Sequence, residues 1–407
     1  MPAKKVVFTY DFTDETYMEY YGKYPELFSM HSTNRDRNKF DQLLFKNLHE
    51  SGVAAEMLTH EENQDIPSTL TSLDEKLGKA DMVFHVTPRI AFEKEDSIWK
   101  TDYQKSIEDL VISKFLGKSH FSSNDVNFFT KQNVRKIATP SGIPMPPSFT
   151  VEDYLASERQ LPVILKRDDL SDGEGIYFID KPEQIDRFFD QSLYSRKDVE
   201  HILPKRTYYL FEVQEFIETP SNHYTHYRIF TLGDGTILGA ILSVSANTKD
   251  KPKRIVEPVP FVWGSICIDS PLYMGFIKVV SNHAQGGTQI PLNPGSDSKP
   301  LTAEDAEVLK AHGLDQTKPT LPSDLKNLAE KAGILFSNYG ALYSGQDWIQ
   351  DKTGNFYFLE LNHDPGLEIF NTLYNRGKGD HETAMAIGTR KLAGALKDYN
   401  NPNLSPD

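Results

Sequence analysis

Short apolar runs alternate with helical apolar stripes over the first third of the chain. Lys5 to Tyr10 is a strand-like run, and Phe40 to Glu50 sets Phe40, Leu43, Leu44 and Leu48 along one side of a helix. Val53 to Leu58 and Asp81 to Val86 read as further strands. Strands alternating with helices predict a small parallel sheet. Asp102 to Phe115 reads as a helix, and Ser122 or Ser123 is a candidate cap for another that runs to about Ile137. The prolines of GIPMPP, Gly142 to Pro147, interrupt regular structure and mark a domain edge.

The pattern then changes. Pro162 to Lys166, Gly175 to Ile179, Tyr208 to Gln214 and His226 to Leu232 read as strands, and Glu183 to Phe189 as a helix. The tight turn Gly233-Asp234-Gly235 predicts that Thr236 to Ser243 pairs back as a hairpin. Asn247 to Pro260, charged and proline-bearing, reads as a loop or insertion. Leu321 to Ala332 is a helix with Leu325, Leu328 and Ala332 inward. Ala341 to Gln350 and Asn355 to Leu361 are strands around the turn Asp351 to Gly354, and Thr383 to Leu396 is a closing helix.

At 407 residues, 38% of them hydrophobic, the chain can bury two or three cores. A net charge of -14 has the wrong sign for a general nucleic-acid binder, though a local basic pocket is compatible with it. The single cysteine, Cys267, excludes an intramolecular disulfide framework and reads as a buried filler. MPAKKVVFTYDF carries no evident secretory signal, and no apolar run reaches the ~18 residues of a membrane span. The default expectation is a soluble protein in the reducing cytoplasm.

Three pieces in order carry the chemistry. Lys166 ends an apolar strand, where a lysine is costly unless it meets an anion or solvent. It runs into RDDLSDGEGIYFI, whose Gly173 and Gly175 let backbone N–H groups approach a phosphate; alone, such a loop is more often just a turn. Gln214-Glu215-Phe216-Ile217 ends a strand at a hinge that can offer unpaired backbone groups to an adenine edge, or is simply a buried strand with a solvated glutamate. In the last hairpin, a simple four-residue turn sets Asp347 opposite Phe358. Glu360 and Asn362, two and four residues further on, then share its face. Two carboxylates and an amide suit a magnesium ion that also takes phosphate and water oxygens; alone, they are equally a solvated polar face. No G-x-x-x-x-G-K-[ST] loop occurs.

This order resembles an ATP-grasp ligase, most closely the group of ribosomal-protein glutamate ligase and bacterial glutathione synthetase. The likeness covers about residues 120 to 370 and rests on Lys166, Gly173 and Gly175, Gln214 to Ile217, Arg228, Asn282 before Gly286-Gly287, and Asp347 with Glu360-Leu361-Asn362. Lys131, eleven residues before Gly142 of the G-I-P turn, matches an upstream family lysine. The resemblance implies an α/β protein with an N-terminal pre-ATP-grasp domain (1–120), a central lobe with its linker (121–215) and a C-terminal lobe bearing the magnesium site (216–400). It implies ATP phosphates on Lys131 and Lys166, adenine at the backbone near Gln214 and Phe216, and a nearby acidic side chain on the ribose. It implies Mg2+ on Asp347, Glu360 and Asn362, and Arg228 near the transferred phosphate or the acceptor carboxylate; Asn282 is the other catalytic candidate.

The implied reaction is formation of an amide through an acyl phosphate, on an amino acid or peptide. A kinase of a polyol phosphate is the alternative, and a non-catalytic nucleotide-binding regulator a third. AILSVSANT lacks the basic residue the family often carries there, and Asn247 to Lys278 is longer than in compact members, so the substrate stays open. His223, His226 and His283 lack tight metal-ligand spacing. Lys249, Lys251, Lys253 and Arg254 read as a solvated loop or as a flap over an acidic substrate. A homodimer is compatible with all of this; no nucleic acid or membrane partner is expected.

Overall fold

The computed structural model describes residues 4–9, 33–57, 66–85, 106, 109–111, 113–114, 121–123, 129–158, 160–167, 176–182, 184, 211–250, 254–256, 275–277, 287–293, 301–362, 373 and 381–399. The protein is α/β, and its described residues form three sheets. Strands β1 (Lys5–Phe8), β2 (Ala54–Met57), β3 (Met82–His85) and β4 (Phe121–Ser123) form a parallel sheet in the order β2-β1-β3-β4. Helices α1 (Thr33–Glu50) and α2 (Ile66–Leu77) supply its crossovers. The described residues of 102–115 are helical, as expected. The serines read as a helix cap instead close β4, and α3 (Lys131–Ala138) begins later, where the Thr130 side chain accepts from the Asn133 N–H.

The second sheet is antiparallel, in the order β11-β12-β7-β6-β8-β5. It is built from β5 (Ser148–Phe149), β6 (Val163–Arg167), β7 (Ile176–Ile179), β8 (Phe211–Glu215), β11 (Arg254–Val256) and β12 (Gly275–Ile277), with α4 (Val151–Ala156) against it. The third comprises β9 (His223–Leu232), β10 (Ile237–Thr248), β13 (Thr288–Leu292), β14 (Tyr343–Gln350) and β15 (Phe356–Asn362), in the order β13-β10-β9-β14-β15. The β9–β10 hairpin forms at the predicted turn, where Gly235 has φ +87°. Two expectations fail here. β10 runs to Thr248 rather than Ser243, and the span read as a loop contributes β11, which pairs with β12 at the edge of the second sheet. Charge and proline suppress the strand signal, but pairing to a neighbour overrides local propensity.

Helices α5 (Ala303–Ala311) and α6 (Ser323–Ser337) cover one face of the third sheet. Leu325, Ala329, Ala332 and Phe336 of α6, spaced four, three and four, are fully buried there with Trp348 and Phe358. The closing helix α7 (His381–Asp398) packs on α1. Leu392 and Leu396 join Phe8, Phe40, Leu44, Leu48 and Phe84 in one core with Phe230 and Leu232 of β9. Inside it, Asn47 Nδ2 donates to Thr389 Oγ1 at 2.8 Å. The first and third sheets therefore share a hydrophobic core. Among the described residues no helix is long and apolar enough to cross a membrane.

Candidate functional site

Residues of the second and third sheets face one cavity with an empty volume of about 840 Å³, including the part open to solvent. Lys166, Gln214, Glu215, Phe216, Ile217, Arg228, Asp347 and Glu360 all line it. Residues far apart in the chain thus meet as the motif order implies. Gly173, Gly175, Asn282, Gly286, His283 and Cys267 lie outside the described residues; Gly287 is buried just before β13.

The carboxylates are brought together differently from the simple hairpin. Asp351 N–H donates to the Asn355 carbonyl, so Gln350 pairs with Phe356 and Trp348 with Phe358, one step from the expected register. An uninterrupted ladder would set Leu359 opposite Asp347 and turn Glu360 into the core. A β-bulge at Leu359 prevents this and pairs Asp347 directly with Glu360. Leu361 then enters the core, while Asn362 stays on the face of Glu360, opposite Gly345. The expected shared face is right, but two compensating irregularities produce it. The driving force is burial: Trp348, Phe358 and Leu361 belong under α6, and a buried Glu360 there would have no partner.

Asp347 is also the neighbour of Arg228 on β9, so Arg228, Asp347 and Glu360 form a row across three strands. Arg228 Nε and Nη2 donate to the two Asp347 oxygens at 2.7 Å each. Burial pushes the Asp347 carboxyl up, but Arg228, His226 and a hydrogen bond with Glu360 together pull it down to about 2. Glu360 is pushed up by burial and by Asp347, and pulled down by Lys131, Lys166 and Arg228. His226 Nε2 lies 3.7 Å from Asp347 Oδ1, and burial lowers the imidazole to about 4, so it is neutral at pH 7. His226 lines the cavity although its sequence spacing carried no signal.

On the opposing sheet Lys166 is nearly buried. Burial lowers its pKa, opposed first by Glu360 and then by Glu212. An apolar slot adjoins it: Ile164, Phe178 and Tyr224 cluster with Ile176 and Phe216, and Phe216 meets Phe178 edge-on at 4.8 Å. Strand β8 stops at Glu215, and Phe216 to Thr219 continue outside the ladder beside this slot. Of the basic run, Lys251 and Lys253 lie outside the described residues and Arg254 opens β11. Lys249 Nζ donates to the Thr219 carbonyl at 2.5 Å, beside the hinge, and burial lowers it to about 8 against the pull of Glu218.

GIPMPP, expected as a boundary, links the two halves of the cavity. The Pro144 carbonyl accepts from Phe358 N–H on β15 at 2.7 Å, and the Pro147 carbonyl from Glu215 N–H at 2.9 Å. A further ion pair closes it: Arg135 Nε and Nη2 both reach Glu212 Oε1 at 2.6 Å, and Nη1 donates to the Pro146 carbonyl at 2.8 Å.

Among the described residues no cluster of three His, Cys, Asp and Glu side chains could hold a metal unaided. Buried Asp347 and half-buried Glu360, paired across the hairpin with the Asn362 amide on the same face, still fit a magnesium ion completed by phosphate and water.

No family model matches the chain, and no curated protein does. Among solved structures it is similar to D-cycloserine synthetase DcsG (10% identity, 96% of this chain and 99% of that one, TM-score 0.46). It is likewise similar to ATP-grasp ligase PsnB with a minimal precursor (11%, 97% and 98%, 0.45). A third is the macrocyclase MdnC bound with precursor peptide MdnA from Microcystis aeruginosa (12%, 97% and 100%, 0.45). All three likenesses extend over nearly the whole chain, at TM-scores below 0.5.

Proposed function

We propose that this protein is an ATP-dependent carboxylate–amine ligase acting on an amino acid or peptide. The observation that carries the reading is the convergence of Lys166, the Gln214–Ile217 hinge and the Asp347–Glu360 pair on one cavity. In the reaction a substrate carboxylate oxygen attacks the γ-phosphorus of ATP and ADP leaves. An amine then attacks the acyl carbon, and phosphate leaves with the amide formed.

The chain's residues supply position and charge. The apolar side chains of Ile164, Ile176, Phe216 and Tyr224, which line the cavity together, would take the flat base, with the Phe216–Ile217 backbone beside them. Lys166, with Lys131 near Glu360, faces the phosphates; fixed cations stabilise a transferring phosphoryl group without reorganising. Asp347, Glu360 and Asn362 would hold Mg2+, which neutralises phosphate charge. Arg228 holds Asp347 in place and lies beside the site of transfer. The roles of Gly173, Gly175 and Asn282 rest on the resemblance.

The test supplies γ-labelled ATP, Mg2+ and pairs of carboxylate and amine substrates. Label released as free phosphate only when both are present, with an amide of matching mass, supports the ligase. A stable phosphorylated product from a single acceptor refutes it and favours the kinase.

A further inference from the structure

The surroundings of Lys166 contain a carboxylate that ought to capture it. Lys166 and Glu212 are direct cross-strand partners on β6 and β8, and both are nearly buried. Opposed side chains of an antiparallel pair sit about 5 Å apart at Cβ, within easy reach of an ion pair. Glu212 instead gives one oxygen to two nitrogens of Arg135 at 2.6 Å. Arg135 comes from α3, whose Val134 and Ala138 pack in the core of the third sheet. The same helix carries Lys131 one turn earlier, so its cations serve opposite walls: Lys131 acts on Glu360 and Arg135 on Glu212. The third nitrogen of Arg135 holds the Pro146 carbonyl, and Pro146 lines the cavity.

We infer that Arg135 is a positioning residue for the nucleotide: it occupies Glu212 so that Lys166 is released toward the phosphates, and it pins α3 across the two halves of the cleft. This rests on the nucleotide reading above. The choice of arginine has a physical reason. A planar guanidinium holds a carboxylate with two N–H groups and still has a donor for a carbonyl, which a single ammonium cannot arrange in the same geometry. Without Arg135, the buried Glu212 keeps its charge by drawing Lys166, its cross-strand partner, out of the phosphate site.

The test is a cycle of Arg135→Met, Glu212→Gln and the double variant, with the affinity of a non-hydrolysable ATP analogue and Mg2+ measured by calorimetry and folding checked by urea melts. Arg135→Met should weaken binding roughly tenfold or more, the scale of a lost charge-assisted contact. The double variant should recover most of that loss, because no carboxylate is left to draw Lys166 away. In a Lys166→Met background, Arg135→Met should have little further effect on affinity, a result that a merely structural role would not give. If Arg135→Met does not fold, Arg135→Lys replaces it and should bind at an intermediate level. Unchanged affinity in Arg135→Met, a double variant as weak as the single, or full additivity with Lys166→Met each overturns the inference. Absence of nucleotide binding by the wild-type protein removes the nucleotide reading, and this role with it.

Discussion

Acid should loosen this protein through His312. The residue caps the C-terminus of α5 and is buried behind the third sheet. Gln350 Oε1 lies 2.7 Å from its Nδ1, and the Thr225 hydroxyl 2.9 Å from its Nε2. The neutral ring therefore donates from Nδ1 to Gln350 and accepts from Thr225. A second proton on Nε2 would force Thr225 to turn round and would put a charge in a dry site. Burial lowers the pKa to about 4 from an ordinary 6.5, with Gln350 opposing. The sign follows directly. Between pH 6.5 and about 4 the unfolded chain binds a proton that the native state refuses. The stabilising effect is complete above 6.5 and is lost as pH falls toward 4; a shift of this size corresponds to about 3 kcal/mol. Urea midpoints at several pH values for wild type and His312→Leu isolate it, because the other histidines are common to both. His312→Leu should be less stable at pH 7.5, through the lost hydrogen bonds to Gln350 and Thr225, yet lose about 2–3 kcal/mol less between pH 7 and 4.5. Parallel pH profiles would refute the reasoning.

Three further outcomes are expected. Lys166→Met and Lys131→Met should each weaken ATP binding by about 1.5–3 kcal/mol in calorimetry; unchanged affinity in both removes the phosphate site. Asp347→Asn or Glu360→Gln should abolish turnover across a magnesium titration with circular dichroism unchanged, and wild-type activity that survives thorough chelation would contradict the metal assignment. Arg228→Met strands Asp347 as a buried charge and should cost about 3–5 kcal/mol in urea unfolding, part of it regained in Arg228→Met with Asp347→Asn.

The sequence by itself determined the elements and the chemistry they carry. The 3.6-residue spacing of Leu325, Ala332 and their neighbours, and the alternation around Gly233 to Gly235, follow from local geometry, so periodicity reveals them. Lys166 at the end of an apolar run and the E-L-N ending were legible for the same reason: charge placed against hydrophobicity is a local pattern. What only the tertiary structure decided depends on partners distant in the chain. The bulge at Leu359 arises because Trp348, Phe358 and Leu361 must share the core under α6, and no property of the hairpin alone announces it. β11 and β12 exist because a sheet edge pairs with them. That GIPMPP also ties the two halves of the cavity depends on Phe358 and Glu215 donating to its carbonyls. Arg135 and Glu212, 77 positions apart, are unremarked charges in the sequence and become a clamp only when α3 and β8 are brought together in the fold. Hydrogen bonds and ion pairs are short-ranged, so a one-dimensional pattern shows which groups can form them and the packing of the chain selects which do.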